Sequence, residues 1–210
     1  MTCQLYLITP PAFDAQEFKP VLLEALDAGD VACLQLRLKN GDGSPAPQDV
    51  VRAAAEVLMQ DVQDRDIAFI INDDAQLAKE LGADGVHIGQ KDISLKEARA
   101  IVGADAIVGV TCHDLRHLAV EAAENGADYV AFGAFFPTKT KAAKGHPEPE
   151  ILEIWSNTTN VPCVAIGGIT LENAPKLIDA GADFIAVVSS VWDHEQGPAH
   201  AIAKFTQLMG

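Results

Sequence analysis

The 210-residue chain has no basic excess: 15 Lys and Arg stand against 30 Asp and Glu, a formal net charge of −15. General nucleic-acid binding, which needs a basic face, is not expected of it. There is no run of about 18 consecutive apolar residues, so no membrane span is expected. The opening, Met1 to Thr9, lacks a basic lead and stops at Pro10-Pro11; it reads as a first strand and not as a signal peptide. The four cysteines, Cys3, Cys33, Cys112 and Cys163, have no C-x-x-C spacing and fall in or beside apolar strand patterns. That points to buried, reduced thiols and a cytoplasmic protein. No glycine fingerprint follows the first strand, which weighs against an open doubly wound sheet, the runner-up architecture. Cys112 and His113 are adjacent, yet nothing in sequence sets up a nucleophile, a base and a group to orient it.

What the chain does have is a repeat. Gly-Ala-Asp runs straight into a short apolar segment three times, at Gly82-Ala83-Asp84, Gly126-Ala127-Asp128 and Gly181-Ala182-Asp183. A degenerate copy is Ala28-Gly29-Asp30. Each follows a helical pattern, and the repeat recurs roughly every 50 residues, with another strand between copies. Strands are expected at 3–9, 31–37, 67–72, 85–89, 106–111, 129–134, 162–167 and 184–189. Most are continuously apolar, as in parallel strands buried on both faces. Between them lie helical patterns, among them 48–64, 115–125 with Asp114 as its cap, 170–180 stopped by Gly181, and a last one near 197–208. Eight strands alternating with eight helices predict an α/β fold, a single (β/α)8 TIM barrel over 1–210. The loops 38–47 and 137–147 are longer than connection requires, and both lie on the face that carries catalysis in such barrels.

That face is where the polar residues fall. Strand 2 ends in Gln35-Leu36-Arg37-Leu38-Lys39, strand 3 in Asn72-Asp73-Asp74, and strand 4 runs to Asp92. Arg37 and Lys39 alternate along an extended segment, so both side chains point one way; two cations there suit a diphosphate more than a surface ion pair. Asp73 and Asp92, from neighbouring strand ends, are candidate Mg²⁺ ligands, whereas Asp74 reads as a helix cap. Thr138-Lys139-Thr140-Lys141 reads as a lid over anionic ligands, the alternative being a solvated loop. Gly167-Gly168 offers open backbone N–H groups after strand 7, although glycine there could serve the turn alone. His87 reads as a hydrogen-bonded core histidine. These residues together describe a barrel enzyme with a metal–diphosphate subsite on strands 2–4 and a monophosphate subsite on strands 7–8. That pairing implies a transfer reaction in which diphosphate leaves.

In this order the motifs resemble the thiamine phosphate synthase family along essentially the whole chain. They are Tyr6-Leu7-Ile8-Thr9, Gln35 to Lys39, Ile71 to Asp74, Gly82 to Asp92, Phe132-Gly133 through Lys141, Val164 to Thr170, and Val188-Ser189. The family joins an aminopyrimidine methyl diphosphate to a thiazole phosphate and releases pyrophosphate. The resemblance implies that Gln35, Arg37, Lys39 and Asn72 hold the pyrimidine diphosphate, with Lys141 closing over it. It assigns Mg²⁺ to Asp73 and Asp92, and the thiazole phosphate to Thr138, Thr140, Gly168, Val188 and Ser189. Arg37, Lys39 and Lys141 would carry the catalysis. Thr111 stands where the family commonly has serine, and 142–147 departs from the usual lid pattern. The expected partners are small phosphorylated substrates, with neither nucleic acid nor membrane, and a homo-oligomer is compatible with the sequence. The related thiazole tautomerases carry a histidine just after the Phe-Gly of strand 6; this chain has Ala134 there. A catalytically silent phosphate-binding regulator is the remaining alternative, opposed by the presence of Arg37, Asp73, Asp92 and Lys141.

Overall fold

The computed structural model describes residues 2–138 and 145–210. Eight parallel strands close into a barrel in chain order, β1-β2-β3-β4-β5-β6-β7-β8. They are β1 (Gln4–Ile8), β2 (Val31–Leu36), β3 (Ala68–Asn72), β4 (Gly85–Ile88), β5 (Ile107–His113), β6 (Tyr129–Gly133), β7 (Cys163–Ile166) and β8 (Phe184–Val187). The helices are α1 (Ala15–Leu26), α2 (Gln48–Gln63), α3 (Ala75–Leu81), α4 (Leu95–Val102), α5 (Arg116–Glu124), α6 (Glu150–Thr158), α7 (Ala174–Asp179), α8 (Ser189–Trp192) and α9 (Pro198–Met209). No helix among the described residues is long and apolar enough to cross a membrane.

Alternation along each strand divides the apolar residues between two cores. Leu5, Leu7, Leu34, Leu36, Phe69 and Ile71 face the helices in the larger one. Tyr6, Ile8, Cys33, Ile70, Tyr129 and Val164 belong to a second cluster inside the barrel. Gly109 on β5 makes room there: a Cβ on it would sit 1.9 Å from the Tyr129 ring. All four cysteines are free and buried. Burial pushes the thiols of Cys3, Cys112 and Cys163 up to about 12, so they are protonated and inert at neutral pH.

The repeated Gly-Ala-Asp has a single structural cause. In each copy the Asp backbone N–H donates to the carbonyl of the first or second residue of the preceding strand, Phe69, Val108 or Cys163. Its carboxylate accepts that same residue's N–H, at 2.7 Å for Asp84, 2.7 Å for Asp128 and 2.8 Å for Asp183. The aspartate thus pairs both backbone groups at the start of the neighbouring strand, where the ladder would leave them open. The degenerate copy does something else: Asp30 donates its N–H to Thr206 Oγ1 in α9. Asp183→Ala strands the Cys163 N–H and is expected to cost about 1–3 kcal/mol. Urea unfolding checks this, with Asp183→Asn, which keeps an acceptor oxygen, retaining most of the stability.

Three local expectations are corrected. The helix after β5 begins after Leu115 with no side-chain cap, so Asp114 does not cap it. The segment expected at 170–180 is helical only from Ala174. Asn173 is the cause: its Oδ1 accepts the Thr170 N–H and its Nδ2 donates to the Gly168 carbonyl, an alternative to helical bonding. The last strand stops at Val187, and Ser189 opens the short α8, so nine helices and not eight appear among the described residues.

Candidate active site

The β2, β3 and β4 ends bring the expected cations and carboxylates into one corner. Lys39 Nζ lies 3.1 Å from Asp73 Oδ2, with the lysine side chain only 12% exposed. Arg37 is half-buried; burial lowers its pKa, and the Asp73 charge pulls it back up. Its backbone N–H is held 3.0 Å from Oγ1 of the buried Thr9. Asp92 interacts directly with Asp73. Burial, then repulsion from Asp73, raises the Asp92 carboxyl above its ordinary value, against the opposing pull of the Gly89 N–H. That N–H donates to Asp92 Oδ2 at 2.8 Å and fixes the carboxylate.

Asp73 itself sits at φ 67°, a left-handed conformation uncommon outside glycine and better tolerated by Asp than by most residues. Its N–H is bonded to the His87 carbonyl at 2.8 Å. Asp74 caps α3 through the Leu77 N–H and also accepts from Gln48 Nε2, so its oxygens are occupied away from the corner. Among the described residues no group of three or more His, Cys, Asp or Glu is placed to hold a metal. Two adjoining carboxylates whose charges repel still suit Mg²⁺, which takes one or two protein carboxylates and completes its shell with water and phosphate oxygens. A cavity of about 100 Å³ between β2, β3 and α2 is lined by Leu36, Lys39, Asn72 and Asp73.

On the far side, β7 and β8 end beside the loop leaving β6. Phe135 and Phe136 donate their N–H groups to the carbonyls of Ile166 and Gly167. This packing is why Gly168 is glycine: it has φ 62°, and a Cβ would lie 2.4 Å from the Pro137 carbonyl oxygen. Thr138 is the last described residue before 139–144. Lys139, Thr140 and Lys141 lie outside the described residues. Val188 and Ser189 stand at the entry to α8, with Ser189 exposed. Cys112 is fully buried and bonds its own strand's Val110 carbonyl, so it forms no catalytic pair with His113.

The family model described as "Thiamine monophosphate synthase" matches residues 5–191. The chain belongs to the thiamine monophosphate synthase family. A thiamine-phosphate synthase of Rhodospirillum centenum is 62% identical over 207 residues, covering 99% of this chain and 98% of its own. One from Hyphomonas neptunium is 52% identical over 206 residues, covering 98% and 93%. The solved thiamine phosphate pyrophosphorylase of Pyrococcus furiosus superposes with a TM-score of 0.81 at 30% identity, covering 98% of this chain and 95% of that one.

Within this family member, the polar groups that sequence reasoning left out are Tyr6, Tyr129 and the role of His87. They join three of the candidate substrate residues. Tyr6 Oη donates to Gln35 Oε1 at 3.0 Å, and Gln35 Nε2 donates to Asn72 Oδ1 at 2.6 Å. Tyr6 and Tyr129 hydroxyls lie 2.8 Å apart. His87 bridges Tyr129 Oη at 2.9 Å and Thr111 Oγ1 at 2.7 Å. Burial raises both phenols well above the usual tyrosine value, so both are neutral. The available signal was scarcity: the chain has two tyrosines, both in apolar strand segments where a buried hydroxyl must find a partner.

Proposed function

We propose that the barrel condenses an aminopyrimidine methyl diphosphate with a thiazole phosphate, giving thiamine phosphate and pyrophosphate. The observation that carries the proposal is the convergence of Arg37, Lys39, Asp73 and Asp92 at three adjacent strand ends. Membership of the synthase family supplies the substrates.

The carbon–oxygen bond to the diphosphate breaks with its electron pair going to the leaving group. The amino-substituted ring stabilises the methylene cation, and the thiazole nitrogen then forms the new carbon–nitrogen bond. No protein nucleophile is required, in keeping with the inert, buried Cys112. Arg37 and Lys39 bind the charge that accumulates on the departing diphosphate, with Lys141 as the lid cation. Mg²⁺, held by Asp73 and Asp92, would neutralise further leaving-group charge when bound. Gln35, Asn72 and Thr111 orient the pyrimidine diphosphate. Thr138, Thr140, Gly168, Val188 and Ser189 hold the thiazole phosphate in line for attack. The same reading places the protein in the cytoplasm, in keeping with its four free thiols.

Ala134 disfavours the tautomerase reading: its methyl packs on Gly167 and carries no group able to move a proton. Incubation with both substrates and mass detection tests the assignment. The expected product is thiamine phosphate. Isomerised thiazole phosphate formed without the aminopyrimidine would support the tautomerase instead, and binding without turnover would support the regulator.

A further inference from the structure

The hydrogen-bond chain through the barrel has a direction, and that direction follows from counting protons. The single Tyr6 hydroxyl proton goes to Gln35 Oε1. Tyr6 therefore accepts from Tyr129, whose only proton is thereby used. His87 Nδ1 must then donate to Tyr129 Oη, which in a neutral imidazole places the one ring proton on Nδ1. Its Nε2 is an acceptor, and Thr111 Oγ1 donates to it. At the other end Gln35 Nε2 donates to Asn72 Oδ1, which leaves the Asn72 Nδ2 protons for the site. In the free protein, then, Thr111 offers a ligand only lone pairs and Asn72 offers N–H groups.

This polarity is wrong for the substrate. A diphosphate oxygen beside Thr111 needs a donated proton. An amino group beside the Asn72 amide needs an accepting oxygen. Both needs are met by one change, reversal of the whole chain. If Thr111 donates outward, it must accept from His87 Nε2–H. His87 Nδ1 then accepts from Tyr129, Tyr129 accepts from Tyr6, and Tyr6 accepts from a turned Gln35 Nε2. The turned Gln35 Oε1 then accepts from Asn72 Nδ2, and Asn72 Oδ1 faces the ligand. The hydroxyls rotate and the amides turn, while the imidazole changes tautomer: its Nδ1–H bond breaks with the proton lost to water, Nε2 takes the Thr111 proton, and Thr111 is reprotonated by water at the site, so that every donor keeps an acceptor.

We propose that Tyr6, Tyr129 and His87 are positioning residues that couple the two ends of the aminopyrimidine diphosphate subsite, so that an anion taken up at Thr111 turns the Gln35 and Asn72 amides to accept an amino group. The inference rests on the functional reading above. It links recognition of the ring to recognition of the leaving group through five strands other than β3, which carries Asn72: β5, β4, β6, β1 and β2. It also gives Gly109 a functional reason, since that glycine admits the Tyr129 ring.

The test uses the whole protein and two separate probes, inorganic pyrophosphate with Mg²⁺ and the aminopyrimidine as its uncharged hydroxymethyl alcohol. Calorimetry should show each binding alone and pyrophosphate tightening the alcohol by about fivefold or more, within the usual range for coupled sites. In Tyr129→Phe, which keeps the ring, both probes should still bind and the coupling should fall towards unity. Tyr6→Phe should do the same. Independently of any variant, the ¹⁵N shifts of the His87 ring, assigned against His87→Gln, should report an Nδ1 proton in the free protein and an Nε2 proton with pyrophosphate bound. A ring that stays Nδ1-protonated, or coupling that survives in both phenylalanine variants, overturns the proposal. Two probes that bind the wild type without coupling overturn it while leaving the synthase reading intact. A wild type that binds neither probe overturns the synthase reading and this inference with it.

Discussion

Asp92→Ala is expected to lower turnover by about 10²- to 10³-fold, the scale of several kcal/mol of lost charge stabilisation at 1.36 kcal/mol per tenfold. Its carboxylate is poised for a cation: the Gly89 N–H fixes it, and burial and Asp73 make its charge costly when no cation neutralises it. Asp73→Ala is expected to lose a similar factor and to free Lys39, whose ammonium is bonded to that carboxylate. Removing either aspartate should also abolish the rise in melting temperature that Mg²⁺ with pyrophosphate gives the wild type, a readout independent of catalysis. If both variants turned over at the wild-type rate, the metal assignment would be wrong.

Arg37→Ala is expected to cost about 10²-fold in kcat/KM for the aminopyrimidine diphosphate, comparable to the loss of one preorganised transition-state donor. The KM for the thiazole phosphate should stay near the wild-type value, because Arg37 belongs to the β2–β4 corner and not to the β7–β8 side. Arg37→Lys should recover little, since a point charge does not reproduce a planar fork against phosphate. Lys141→Ala should likewise lower turnover far more than it weakens the thiazole phosphate. Steady-state kinetics with each substrate varied in turn separates these cases. An equal loss for both substrates from Arg37→Ala would place the arginine between the subsites instead of at the leaving group.

The architecture was legible because its signals are local and repeated. Continuous apolar strands and a helix-ending glycine before each Gly-Ala-Asp strand specify a β/α repeat, and the closed eight-stranded sheet follows. The aspartate's own role was hidden, because its partner is the backbone of another strand, reached only on folding. The departures share that origin. Asn173 delays α7 through side-chain bonds to Thr170 and Gly168, a competition that helix periodicity does not register. The same holds at the site. Arg37, Lys39, Asp73 and Asp92 were visible because reactive groups collect at strand ends, but their mutual neutralisation needed coordinates: Lys39 faces Asp73 in place of open solvent. The link between Tyr6 and Tyr129 stayed invisible because each looks like ordinary barrel packing until the two hydroxyls meet across 123 residues of sequence.

If the β2–β4 corner expels diphosphate while the opposite side holds the thiazole phosphate, the two products must form together. The most direct measurement is pyrophosphate released per thiamine phosphate formed, followed with and without Mg²⁺. One pyrophosphate is expected for each thiamine phosphate, with both rates collapsing together when the metal is chelated. Thiamine phosphate formed at an undiminished rate without the metal, or pyrophosphate released with no coupled product, would contradict it.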